Sequence, residues 1–208
     1  MGHDIGGGAH TNLEIYSDAK TKNLKECEPS VDCLLIRDNK PGNTFSTICS
    51  ETNCGLTNHW APSKEVGIKV LYIGESPPAD GTFIYDVESP VTKWFSRKIR
   101  RDLGNNLKSS DFQSVPTTKK ELLEKMQKNG VLALDCCKCA LNYDELGRKE
   151  RNGIACQCYM RHTSEIIAAI HEKYSPLIRF AFPKKRGDPI LKHLAGKYGK
   201  SVCDIRWV

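Results

Sequence analysis

Two carboxylates, a basic triplet and ten cysteines are the residues with chemistry to offer in this 208-residue chain. Glu75 lies one residue after an apolar run, residues 70–73, in the sequence Gly74-Glu75-Ser76-Pro77-Pro78, and an aromatic, Phe83, comes after Gly81. Asp135 closes a second apolar run, residues 131–134, and leads into Cys136-Cys137-Lys138-Cys139 and then Asn142. Lys184, Lys185 and Arg186 follow a third run, residues 177–182. Apolar and β-branched runs that stop at Gly, Pro or charge mark strand-to-loop boundaries. A carboxylate in such a loop can orient water or move a proton. Cations there can hold phosphate oxygens. Each group also has a plain structural reading: a solvated turn for Glu75 and the triplet, a core ring for Phe83.

These groups can cooperate only if the elements between them build a parallel sheet. The spacing predicts this. A basic amphipathic helix is expected over residues 91–103, with Lys93, Arg97, Lys98, Arg100 and Arg101 around Trp94, Phe95, Ile99 and Leu103. Packing on the sheet accounts for that helix; phosphate contact is the lesser reading. Thr118 with Glu121 three positions later is a capping-box signal, and Asn129-Gly130 a stop, for a helix over 121–128. Ile154, Met160, Ile166, Ile167 and Ile170 suggest a helix over 154–174. Asp188-Pro189 reads as N-cap and N1 of a helix over 190–198, after a loop at 183–188, with Gly199 as its stop. Residues 202–208 read as a last strand. Helices alternating with buried strands give an α/β fold, a three-layer sandwich around a mainly parallel four-stranded sheet. In such a sheet the strands' carboxyl ends share one edge, where ligands gather.

Composition sets the outer bounds. Hydrophobic residues make up 39% and charged residues 27%, which suits one sizeable core. Residues 1–12 read as a flexible tail and 13–208 as a single domain with an irregular cysteine-bearing segment over 27–62. The formal charge of +6 favours polyanionic partners, weakly. No apolar run is long enough to span a membrane and no secretory signal is evident, so a monomer in the cytoplasm, nucleoid or nucleus is expected. Ten cysteines without a secretory signal point to metal ligation or buried thiols rather than a disulfide scaffold.

Four motifs in combination resemble the uracil-DNA glycosylase superfamily, closest to its iron–sulfur-containing family and related glycosylase-like domains. Gly74-Glu75-Ser76-Pro77-Pro78 is similar to that family's G-E-A-P-G. Gly81-Thr82-Phe83 is similar to its G-x-P-F segment, Asp135 to Asn142 to its N-V-V-K-C-R-P-P, and Cys156-Gln157-Cys158-Tyr159 to its C-x-x-Y. The resemblance covers roughly residues 65–182. It implies a DNA-repair enzyme that extrudes an altered base from DNA and cleaves its N-glycosidic bond. Phe83 would stack on the base, Gly74 and Asn142 would line its pocket, and Lys184, Lys185 and Arg186 would hold the DNA backbone. Glu75 would orient water and stabilise charge on the sugar. Asp135 stands where the family has a base-reading asparagine; ionised, it only accepts hydrogen bonds, and it donates only when protonated. The family's late histidine loop is expected after residues 202–208, where the sequence ends. His193, His162 and His171 fall on helices instead. A noncatalytic nucleic-acid-binding protein or a nucleotide-processing enzyme would also fit this pattern.

The same resemblance implies a 4Fe-4S cluster. Cys139 and Cys156, with sixteen residues between them, are its core candidates. Cys49 and Cys54 are preferred as the remaining pair, with Cys27 and Cys33 as rivals. Four thiolates could also hold zinc as an alternative, and ligand-free buried thiols are a third.

Overall fold

The computed structural model describes residues 60–76, 84–85, 87–88, 90–91, 94–106, 116, 118–137, 148–181 and 184–204. Four strands, β1 (Val70–Gly74), β2 (Val131–Asp135), β3 (Leu177–Phe180) and β4 (Val202–Asp204), form one sheet in the order β2-β1-β3-β4. Every neighbouring pair is parallel. Helices α1 (Trp94–Asn106) and α2 (Lys119–Lys128) connect β1 to β2. Helix α3 (Arg148–Cys158), a π-helical turn (Tyr159–Thr163) and α4 (Ser164–Tyr174) connect β2 to β3. Helix α5 (Lys184–Tyr198) leads to β4 through a short 3-10 turn. The expected α/β sandwich is therefore present. β2 and β3 flank β1 on opposite sides, so right-handed crossovers put α1 and α2 on one face and α3 to α5 on the other.

β1 reads as an unbroken apolar run because it is central and covered on both faces; Leu71, Tyr72 and Ile73 are all fully buried. Its one polar side-chain atom is used. The Tyr72 hydroxyl donates to Asp102 Oδ2 on α1, and Arg179 Nε, on the neighbouring strand in register with Tyr72, lies 3.3 Å from the same oxygen. Asp102 is nearly as buried as the core, and such a charge is tolerated only when paired. Burial, reinforced by the Asp102 charge, holds the Tyr72 phenol well above its ordinary pKa.

The boundaries of α2 follow their residues. Thr118 Oγ1 accepts the Glu121 N–H at 3.2 Å, and the Glu121 carboxylate pairs with Lys125 at 3.2 Å. Gly130 ends the segment at φ +74°, and its carbonyl accepts from Lys69 and Val70, which fixes where β1 starts beside β2. Among the described residues β2 is an edge strand, and Tyr85 covers part of its open side. The Tyr85 hydroxyl accepts the Ala133 N–H at 2.8 Å and donates to the Ala133 carbonyl at 3.1 Å. Satisfying both edge groups removes a pairing site for a foreign strand.

Two expectations change. The 154–174 helix begins earlier, at Arg148, and is interrupted by the π-helical turn. The expected loop at 183–188 is helical: α5 starts at Lys184 and carries Pro189 inside it. A proline there removes one backbone hydrogen bond but does not stop the helix. Lys184, Lys185 and Arg186 thus form the first turn of α5.

Candidate functional site

The carboxyl ends of β1 and β2 bring Glu75 and Asp135 together. Gly74 and Asp135 are register partners. The ladder runs on past the strands: Cys136 donates to the Gly74 carbonyl and Cys137 to the Glu75 carbonyl, each at 2.9 Å. Glu75 is therefore held on the backbone of the segment that carries Asp135. Glu75 Oε1 is shielded from solvent. The Asp135 carboxyl is pushed up to about 7, first by burial and then by the negative charge of Glu75. Two carboxyls in one sheltered site cannot both ionise easily. With its carboxyl raised to about 7, Asp135 can hold or release a proton near neutrality beside Glu75, an arrangement suited to acid–base chemistry.

The other side of this site is built by the π-helical turn. Thr163 is buried, and its hydroxyl donates to the Cys136 carbonyl at 2.9 Å and lies 3.5 Å from the Asp135 carbonyl. That bond ties the turn to the end of β2. The extra residue of a π-helical turn shifts the register of the side chains beyond it, and such turns often lie at functional sites. Tyr159, at its start, is 1% exposed, and its hydroxyl is 2.8 Å from His193 Nδ1 on α5. Burial, with the nearby Cys136, Tyr198 and Cys156, raises the Tyr159 phenol. Burial raises the Cys136 thiol well above its ordinary value, helped by Asp135, Cys158, Glu75 and Cys156.

Of the residues expected at the site, the structure gathers Gly74, Glu75 and Asp135. Cys156 is half-buried on α3, in electrostatic reach of Cys136. Phe83, Asn142, Cys27, Cys33, Cys49, Cys54 and Cys139 lie outside the described residues. Sequence reasoning gave no role to Thr163 or Tyr85, and it set His193 aside as a poor base-side histidine; here His193 holds Tyr159.

The expected metal centre is corrected. Among the described residues no group of three or more His, Cys, Asp or Glu side chains could hold a metal ion, which overturns both the 4Fe-4S cluster and its zinc alternative. Cys136, Cys137, Cys156, Cys158 and Cys203 are all thiols, outside any disulfide.

No family model, no curated protein and no solved structure matches this chain. The comparisons thus lend nothing to the DNA-repair and glycosylase readings, and the glycosylase resemblance rests on the motif residues alone. Among the described residues no helix is long and apolar enough to cross a membrane.

Proposed function

We propose that this chain hydrolyses the N-glycosidic bond of an altered base carried on DNA, with Glu75 and Asp135 as its acid–base pair. The single observation behind this reading is the carboxyl pair at the edge of β1 and β2, with the Asp135 carboxyl pushed up to about 7. An ionised aspartate could not replace the donor that a base-reading asparagine supplies. A protonated one can. Asp135 would donate to a carbonyl oxygen of the base as negative charge develops there, and Glu75 would orient the attacking water and stabilise positive charge on the sugar. In the same reading Gly74 lets the base approach the strand end closely. Phe83 would stack on it, Asn142 would face its edge, and Lys184, Lys185 and Arg186 would contact the backbone.

The test is a product assay on strands carrying uracil, hypoxanthine or xanthine. The reading expects release of at least one base, reduced at least ~100-fold by Glu75→Gln. Release should decline as pH rises through about 7, because the proton on Asp135 is lost there. Intact substrate in all three reactions would end the proposal.

A further inference from the structure

Helix α1 divides its residues by charge more sharply than packing requires. Its inward side carries Ile99, Asp102 and Leu103, each at most 5% exposed. At 100° per residue, Arg100, Arg97, Arg101 and Lys98 fall in one arc of about 160° on the opposite side. Arg97 and Arg101 are exposed, and Arg100 and Lys98 half-buried. The helix's one acidic residue, Asp102, is turned into the core and engaged by Tyr72 and Arg179. Among the described residues no carboxylate pairs with Arg97, Arg100 or Arg101. Burial and the like charge of Arg101 push the Lys98 ammonium down to about 8. Arg97, Arg100 and Arg101 thus present like charge on one side of the helix, which an anionic partner would relieve.

We propose that this outward face of α1 is a docking surface for the phosphodiester backbone of a nucleic acid. Two observations favour that partner. Arginine's planar fork matches phosphate oxygens. Arg97 and Arg101 stand about 6 Å apart along the axis, close to twice the ~3.4 Å rise per phosphate of one strand. The surface rests on the reading of the function only in the choice of polymer, and it adds a backbone contact on a different element from Lys184, Lys185 and Arg186.

The experiment is a binding titration of the full chain with an undamaged oligonucleotide duplex, so that no base release enters the readout and a failure of hydrolysis leaves the result standing. With about three phosphates engaged, affinity should fall on the order of 40-fold between about 50 and 200 mM salt. The double variant Arg97→Glu with Arg101→Glu should flatten the logarithmic salt slope by about 2 units. Reversing two exposed lysines off the arc, Lys192→Glu with Lys200→Glu, should leave the slope near that of the parent. Circular dichroism would verify that each variant is folded. Three results would each overturn the proposal: no binding at about 50 mM salt, an unchanged slope in the arginine variant, or phosphatidylserine vesicles that bind as tightly and displace the duplex.

Discussion

Asp135 joins local chemistry to stability. An aspartate carboxyl ordinarily titrates at 3.8, and this one is pushed up to about 7 in the fold, so between those values the folded chain holds a proton that the unfolded chain has released. Linkage then makes its contribution largest below about pH 4 and lost as pH rises through about 7. Asp135→Asn removes the charge and its burial cost. Thermal melts should show the variant gaining little near pH 4 and more near pH 8. The full shift would correspond to roughly 4 kcal/mol, and partial solvent contact of the residue lowers the expected gain to about 2 kcal/mol. An equal effect at both pH values would contradict the assignment. The sequence placed Glu75 and Asp135 at strand ends because Gly74 and the acidic residue interrupt apolar runs. It could not show the raised Asp135 carboxyl, which depends on burial and on which strands are neighbours.

Elements here are fixed by a few residues whose removal has a stated cost. A Cβ on Gly130 would lie 2.7 Å from the Gly67 carbonyl oxygen, and φ +74° disfavours any side chain. Gly130→Ala should therefore lose at least ~2 kcal/mol in a denaturant titration. Asp102 links α1 to β1 and β3. Asp102→Leu should cost about 3 kcal/mol, because it leaves Arg179 charged and unpaired, and adding Arg179→Met should recover part of the loss. If the second substitution deepens the loss instead, the ion pair is not the source. Element starts were legible where a side chain makes the cap, as Thr118 does for α2. They were not legible at α5, where Pro189 imitates a helix start but lies inside. The π-helical turn also escaped, because its residues keep helix-like spacing on either side and the inserted residue shows only in the backbone hydrogen bonds of the folded helix.

For the molecule as a whole, the alternation of apolar runs with amphipathic segments was enough to predict a parallel α/β sheet. The strand order was not, since it depends on long-range pairing that no local pattern encodes. That order matters, because placing β2 directly beside β1 is what makes Glu75 and Asp135 a pair. The metal expectation failed for a related reason. Cysteine spacing along the chain does not tell which thiols meet, and among the described residues those near Cys156 do not form a ligand set. The charge of +6 is likewise a property of the whole chain, and α1 shows how four cations can be gathered on one face by turning the helix's acidic residue inward.

The raised Asp135 carboxyl is the claim on which the functional reading turns, and a carbon-13 NMR titration of that carboxyl measures it directly. The account predicts a midpoint of about 7, moving lower in Glu75→Gln as the neighbouring charge is removed, yet still above 3.8 because burial is the larger cause. A midpoint near the ordinary 3.8 in the parent chain, unchanged by Glu75→Gln, would contradict it.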